Sequence, residues 1–230
     1  MQALFRGRIR EIVAEGSSEW WDKPWRTGFR KESQTEPCWL DVEGLLGDEQ
    51  ADRENHGGPD KAVCVYPGEH YAEWQTIDGL SEVAAGAFGE NFTSRGLFEE
   101  SACVGDIFTV GAARVQISQP RQPCWKLARR WRVKDLALQV ERTGRTGFYL
   151  RVLQTGLVAP GDRLRMQERL HPEWTIARCN EVMHHRKQDA ALAGALAACP
   201  ALSASWRRSL AARAQQPDQV KSAAARLEQP

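Results

Sequence analysis

Cys124 stands in the run Ser118-Gln-Pro-Arg-Gln-Pro-Cys-Trp-Lys-Leu-Ala-Arg-Arg130. Two prolines deliver a single thiol to the start of a helix read over Trp125 to Trp131. Proline suits a helix start, where its missing N–H costs nothing. Residues 121 to 151 hold nine Lys or Arg and two acids, Asp135 and Glu141. A helix N-terminus and nearby cations favour thiolate, the form that attacks electrophiles and binds soft metals. A cysteine chosen at random is an inert small hydrophobe; this setting argues for chemistry.

A second segment, Asp52-Arg-Glu-Asn-His-Gly-Gly-Pro-Asp-Lys61, lies in a stretch with seven acids between 41 and 60 and one base, Arg53. Its His-Gly-Gly-Pro core is a tight turn whose open N–H groups can form an anion nest. His56 can bind, protonate or simply hydrogen-bond. Lys61 opens an apolar run and can project into a pocket. In Gly86-Ala-Phe-Gly-Glu-Asn-Phe92, glycines allow close backbone approach, and Asn91 offers a donor and an acceptor. Thr143-Gly-Arg-Thr-Gly-Phe148 puts Arg145 at a turn tip, either for a phosphate or merely as a helix cap leading to a strand. His70 and Glu73 share a helix face but have no third ligand near them in sequence. His184 and His185 read as surface or packing residues.

These residues need a frame. Ala3–Val13, Cys38–Val42, Lys61–Tyr66, Asp106–Val110, Arg114–Gln119, Phe148–Leu153 and Arg163–Gln167 read as strands. In the last, Leu164 and Met166 alternate with Arg163, Arg165 and Gln167. Glu69–Gln75 and Lys134–Glu141 read as helices. Residues 17–35, with three tryptophans, read as a long loop folded over another part of the molecule. After His171-Pro172 the chain turns Ala-rich, with helices over Thr175–Arg186, Ala190–Ala198, Ser203–Ala214 and Gln219–Leu227, and with Thr175 and Ser203 as N-caps. The expected fold is mostly β and barrel-like with peripheral helices over residues 1–170, followed by a small all-α unit over 171–230.

Composition narrows the function. The 230 residues carry a net charge of +1, which gives no global pull toward nucleic acid or membrane. No apolar run reaches the roughly 18 residues of a membrane span, and the charged N-terminus lacks a signal-peptide core. A cytoplasmic location is expected. The six cysteines stand singly, which argues against structural zinc and iron–sulfur clusters. Neither a GxGxxG nor a P-loop pattern is present.

The segments GLLGDEQADRENHGGPDKAVCVYPGEHYAEW, GAFGENF, VQISQPRQPCWKLARR and TGRTGFYLRV closely resemble the YiiM-like branch of MOSC-domain proteins. The likeness runs from about Trp25 to Gln167 and continues into the C-terminal helices, similar to that branch's three-helix unit. It implies a pterin-bound molybdenum cofactor, with the family's cysteine falling on Cys124 as metal ligand. It also implies detoxifying reduction of N-hydroxylated compounds such as hydroxylamino purine analogues. Soft sulfur ligation and a phosphate-ended cofactor agree with the thiol and the basic glycine turns. On this reading Arg121 and Gln122 orient cofactor or substrate, and His56, Lys61 and Asn91 line the same cavity. Arg145 joins the cofactor-binding set. A separate flavin or iron–sulfur reductase is expected as redox partner. A homodimer through the Ala-rich tail is an open reading.

Two other readings stand beside it. Cys124 can carry a persulfide as a sulfur carrier, or the chain can bind the cofactor without turnover. MOSC domains fused to sulfurases associate the family with pyridoxal phosphate, but no sulfurase domain is present to charge a persulfide.

Overall fold

The computed structural model describes residues 1–12, 22–216 and 224–227. Strands β1 (Ala3–Gly7), β2 (Arg10–Ile12), β3 (Trp25–Thr27), β4 (Lys31–Ser33), β5 (Cys38–Asp41) and β6 (Gly44–Leu45) come first. The four-residue helices α1 (Arg53–His56) and α2 (Tyr71–Trp74) flank β7 (Val63–Pro67). Strands β8 (Phe92–Ser94), β9 (Ile107–Val110) and β10 (Ala113–Pro120) lead into α3 (Trp125–Trp131) and α4 (Leu136–Thr143). Then come β11 (Phe148–Gln154), β12 (Gly156–Val158) and β13 (Arg165–Glu168). The tail forms α5 (Ile176–Asn180), a π-turn over Glu181–His185, α6 (Ala190–Ala197), α7 (Ala204–Gln215) and α8 (Ala224–Leu227).

An eight-stranded sheet runs in the order β13-β9-β10-β11-β7-β8-β1-β4, and β12-β5-β6 form a smaller one. All pairings are antiparallel except β7 with β8. The fold is thus mostly sheet with attached helices, as expected. Val63, Val65 and Tyr66 of β7 are fully buried, which explains the unbroken apolar run.

Three expectations change. The strand expected over Ala3–Val13 breaks after Gly7, and Val13 lies outside the described residues. A Cβ at Gly7 would stand 2.1 Å from the Gly28 carbonyl oxygen, so only glycine lets the chains pass there. The loop expected over 17–35 holds β3 and β4 in its described part. Trp25 does fold over something: its ring lies 5.5 Å from that of Trp125, and the Arg129 guanidinium sits 5.0 Å above it. In β13, Met166 is exposed although Leu164 packs on the core. Leu164 lies just before this edge strand, which pairs only with β9, so the alternation expected from Leu164 to Met166 is not that of one continuous strand.

One apolar cluster runs from Leu4, Val65 and Ile117 in the sheet through Trp174, Ile176, Leu196, Trp206 and Leu210 in the tail. The helices therefore share the core of the sheet. A second cluster joins Trp74, Phe88, Leu127 and Val140, and it anchors α3 behind Cys124. Thr175 and Ser203 cap α5 and α7 as expected, accepting from Arg178 N at 3.1 Å and Trp206 N at 3.3 Å. Replacing such a cap by alanine costs about 1 kcal/mol.

His184 is buried and lies 3.3 Å from Glu141, which also pairs with Arg226 at 2.5 Å. His185 is exposed. Burial pushes the Glu141 carboxyl up, but hydrogen bonds from His184 and Arg226 more than offset this and hold it at about 2. Burial pushes His184 below its ordinary value against the pull of Glu141. Both folded values are depressed, so both groups stabilise the fold at neutral pH and lose that contribution on acidification. The loss begins as the unfolded histidine protonates near pH 6.5 and continues down to about pH 2. Glu141→Gln is expected to lower the melting temperature at pH 7 and to shrink the difference between pH 7 and pH 4, read by thermal melts.

Candidate functional site

Pro120 ends β10, and Arg121 N donates to the Gly147 carbonyl at 3.0 Å, so the strand pairing persists to the edge of the site. The chain then turns through Gln122 and Pro123. Cys124 takes an extended backbone as N-cap of α3, and its carbonyl accepts from Leu127 N at 3.1 Å. The Cys124 side chain is only 6% exposed. Its Sγ lies 3.4 Å from His56 Nε2.

His56 is the last residue of α1, whose N-cap is Asp52: Oδ1 accepts from Asn55 N at 3.1 Å. Four residues on, the same carboxylate reaches back, with Oδ2 3.1 Å from His56 Nδ1. Lys126 Nζ stands 3.2 Å from that same nitrogen. Burial and then Lys126 push the imidazole down, Asp52 pulls the other way, and His56 ends at about 4. At pH 7 it is neutral. With the proton on Nδ1 it donates to Asp52, and Nε2 can accept from the thiol. With the proton on Nε2 it can donate to a thiolate, and Nδ1 accepts from Lys126. The site can therefore hold one proton on either side of the ring.

Two cavities meet at Cys124, sharing it with His56, Lys61, Gln122 and Tyr149. The inner crevice is narrow, about 40 Å³, room for a few waters. Lys31, Lys61, Arg121 and Lys126 line it, and no carboxylate does. Lys31 is neutralised by Asp48 at 2.5 Å. Arg121 is buried, lies over the Phe29 ring at 5.8 Å, and leaves Nη1 without a hydrogen-bond partner. Burial works against its charge, but Cys64, Tyr149 and Cys124 around it hold its pKa above the ordinary value. Burial also pulls Lys61 and Lys126 below the usual lysine value. Lys61 donates to the Asn55 carbonyl at 2.6 Å and Lys126 lies 3.9 Å from Asp52, so the buried Arg121 with its unpartnered Nη1 is what makes this crevice a place for an anion. The outer chamber is about 470 Å³ and reaches the helical tail.

The structure thus brings Cys124, His56, Lys61, Arg121, Gln122 and Asn91 together. Asn91 has its amide fully used: Oδ1 accepts from Cys64 N at 3.1 Å, and Nδ2 donates to Asp48 Oδ2 at 2.9 Å. It braces the crevice floor. Arg145 pairs with Glu73 and lines neither cavity. It lies just before β11, where the Glu73 carboxylate takes its guanidinium. His70 is taken by Glu99 at 2.8 Å, so His70 and Glu73 each have another partner. Among the described residues no cluster of three or more His, Cys, Asp or Glu side chains is placed to hold a metal. Sequence reasoning missed Asp52, Lys126 and Tyr149. The first had a signal: an acid four residues before a histidine on a helix shares its face.

The MOSC domain family model matches residues 52–165, and the YiiM-like 3-alpha helix domain model matches 174–216. YflK of Bacillus subtilis is 46% identical over 184 residues, covering 80% of this chain and 82% of that protein. The chain belongs to the YiiM-like MOSC-domain family. The crystal structure of YiiM from Geobacillus stearothermophilus superposes with a TM-score of 0.77 at 37% identity, covering 93% of this chain and 97% of that one. A protein of Gibberella moniliformis named Reductase is 35% identical over 161 residues, which are 68% of this chain but 28% of that longer protein. MOSC-domain proteins are associated with molybdenum cofactor binding. In this member of the family, no helix of the described residues is long and apolar enough to cross a membrane.

Proposed function

We propose that the chain is a molybdenum-cofactor-dependent reductase of N-hydroxylated compounds, with Cys124 as metal ligand. The observation that carries the reading is a buried thiol paired with a neutral histidine at the mouth of a carboxylate-free basic crevice. The donor set fits the cofactor. A thiolate is the soft ligand molybdenum favours, and the unpartnered Arg121 nitrogen suits a phosphate oxygen. Arg121, Gln122 and Lys61 would hold the cofactor's anionic groups, and Cys124 would ligate its metal where the narrow crevice meets the larger chamber.

When bound, the cofactor supplies the two-electron exchange. The overall change is R–NHOH + 2e⁻ + 2H⁺ → R–NH₂ + H₂O. The chain's own residues hold and move the protons. His56 Nε2 can carry one beside Cys124, and Asp52 and Lys126 decide which ring nitrogen bears it. Gln122 and Lys61 border both cavities and orient what spans them.

The deciding experiment is expression in a cofactor-competent host, followed by molybdenum and pterin analysis and turnover of hydroxylamines with an artificial electron donor. Persulfide without metal would overturn the reading. The electrons must enter from outside, because the sequence carries no flavin, nicotinamide or iron–sulfur motif. The fungal relative named a reductase has most of its length outside the match, in keeping with electron delivery by a further protein part. Metal-loaded chain with NADH alone is expected to give no sustained turnover, and a flavin-containing reductase to start it. The tail from 171 to 230 carries eight basic and five acidic residues, a weak docking surface whose contribution should fall as salt rises. Steady turnover on NADH alone would refute the separate partner.

A further inference from the structure

Strand register sets a row of three side chains along the site. Tyr149 of β11 stands opposite Cys64 of β7 on one side and Gln119 of β10 on the other. Residues directly opposite one another share a face of the sheet. Cys64 borders the inner crevice, Gln119 borders the outer chamber, and Tyr149 borders both, as Cys124 does. The phenol is therefore placed where the two cavities join.

The hydrogen bonding of the row is uneven. Gln119 Nε2 donates to the Pro120 carbonyl at 3.0 Å, and its Oε1 accepts from Ser205 Oγ at 3.4 Å. The chain's other two tyrosines are paired: Tyr66 donates to the Arg145 carbonyl at 3.1 Å and Tyr71 to Glu90 Oε1 at 2.6 Å. The Tyr149 residue is only 8% exposed, yet its hydroxyl has no hydrogen-bond partner among the described residues. A buried hydroxyl in that state costs free energy until something in the cavity pairs with it. A phenol is a neutral donor at pH 7, and burial, then Cys64, raise its pKa further against the pull of Arg121. Cys64 offers only a weak S–H, so the strong free donor of the row is Tyr149. Arg121 beside it answers to an anion. A neutral donor instead suits an oxygen that is uncharged at first and gains electron density as its bond breaks.

We infer that Tyr149 is a further catalytic residue, whose hydroxyl donates a hydrogen bond to the oxygen of the substrate N–OH group at the Cys124 end of the chamber. This rests on the reductase reading above. The N–O bond breaks in the two-electron, two-proton change already given, the oxygen leaves as water, and Tyr149 keeps its own proton throughout.

The probes are benzhydroxamic acid and benzamide, which differ only by the N–OH oxygen. In the full chain without metal, calorimetry is expected to show benzhydroxamic acid bound about fivefold more tightly, the contribution of one neutral hydrogen bond. Tyr149→Phe should close that gap by weakening benzhydroxamic acid alone. It removes a hydroxyl that bonds nothing in the protein, so the melting temperature should hold. Tyr66→Phe loses the bond to Arg145 and the one from Trp74 Nε1 at 2.6 Å, so it should melt lower and keep the gap. In metal-loaded protein, Tyr149→Phe should lower kcat for benzhydroxamic acid on the order of 100-fold with molybdenum and pterin content unchanged. Equal binding of the two probes by the parent, an unchanged gap in Tyr149→Phe, or a parent-like kcat would overturn the role. If the gap closes in Tyr149→Phe but the parent chain holds no molybdenum and reduces nothing, the reductase reading falls and the contact with the N–OH oxygen stands.

Discussion

Cys124→Ser is expected to abolish bound molybdenum and reductase turnover while leaving the fold in place. Serine is close in volume, so the pocket beneath Trp125 and beside His56 changes little. The hydroxyl does not ionise near neutral pH, and oxygen is a harder donor than sulfur, so the metal loses the ligand it favours. Serine still offers His56 a hydrogen-bond partner, which keeps the local network satisfied. The melting temperature should therefore stay within a few degrees of the parent. The same change at Cys38, Cys103, Cys179 or Cys199, none of which lines either cavity, should leave metal content intact. Metal analysis on the protein as isolated decides it. Full molybdenum and parent turnover in Cys124→Ser would remove the ligand role.

Arg121→Ala is expected to strip the cofactor during dialysis. The guanidinium is buried at the crevice with one nitrogen unpartnered, so its arrangement is waiting for an anionic oxygen. A charge-assisted hydrogen bond of this kind contributes about 1.5–3 kcal/mol, or about 10- to 150-fold in affinity. Lys61→Ala should act in the same direction and less, because Lys61 is half-buried and its Nζ already donates to the Asn55 carbonyl at 2.6 Å. Pterin content after dialysis, measured beside thermal melts, separates the roles. Retained pterin with a lowered melting temperature would make Arg121 a structural cation held by Phe29 and the surrounding sulfur and phenol groups.

The C-terminal helices bear on both experiments. Arg226 donates to the Pro123 carbonyl, one residue before Cys124, and pairs with the buried Glu141 at 2.5 Å. The tail thus touches the segment that presents the thiol. Truncating it would therefore disturb the site.

Much of the frame was legible in the chain itself. Period-2 alternation and continuous apolar runs marked β5, β7, β10 and β11, because side-chain direction in a strand is a local property. Thr175 and Ser203 marked their helix starts for the same reason: a cap bonds within three residues. The bracketing prolines and the basic run singled out Cys124, and the long motifs named its family. What the chain alone could not decide was which of the flagged residues meet. Asn91, Arg145 and Lys61 all sat in glycine-rich turns that look alike in sequence. Folding spends Asn91 on Asp48 and Cys64, ties Arg145 to Glu73, and leaves Lys61 at the thiol. Nor could spacing show that His56 and Cys124, 68 positions apart, stand 3.4 Å from each other. That contact depends on β7, β10 and β11 pairing in one register, which sets α1 against the start of α3. That α7 lines the outer chamber is decided later still, by one apolar core that runs from the sheet into the tail. Local pattern determines elements, but a site is made where distant elements pack, and that is settled only by burying the surfaces they share.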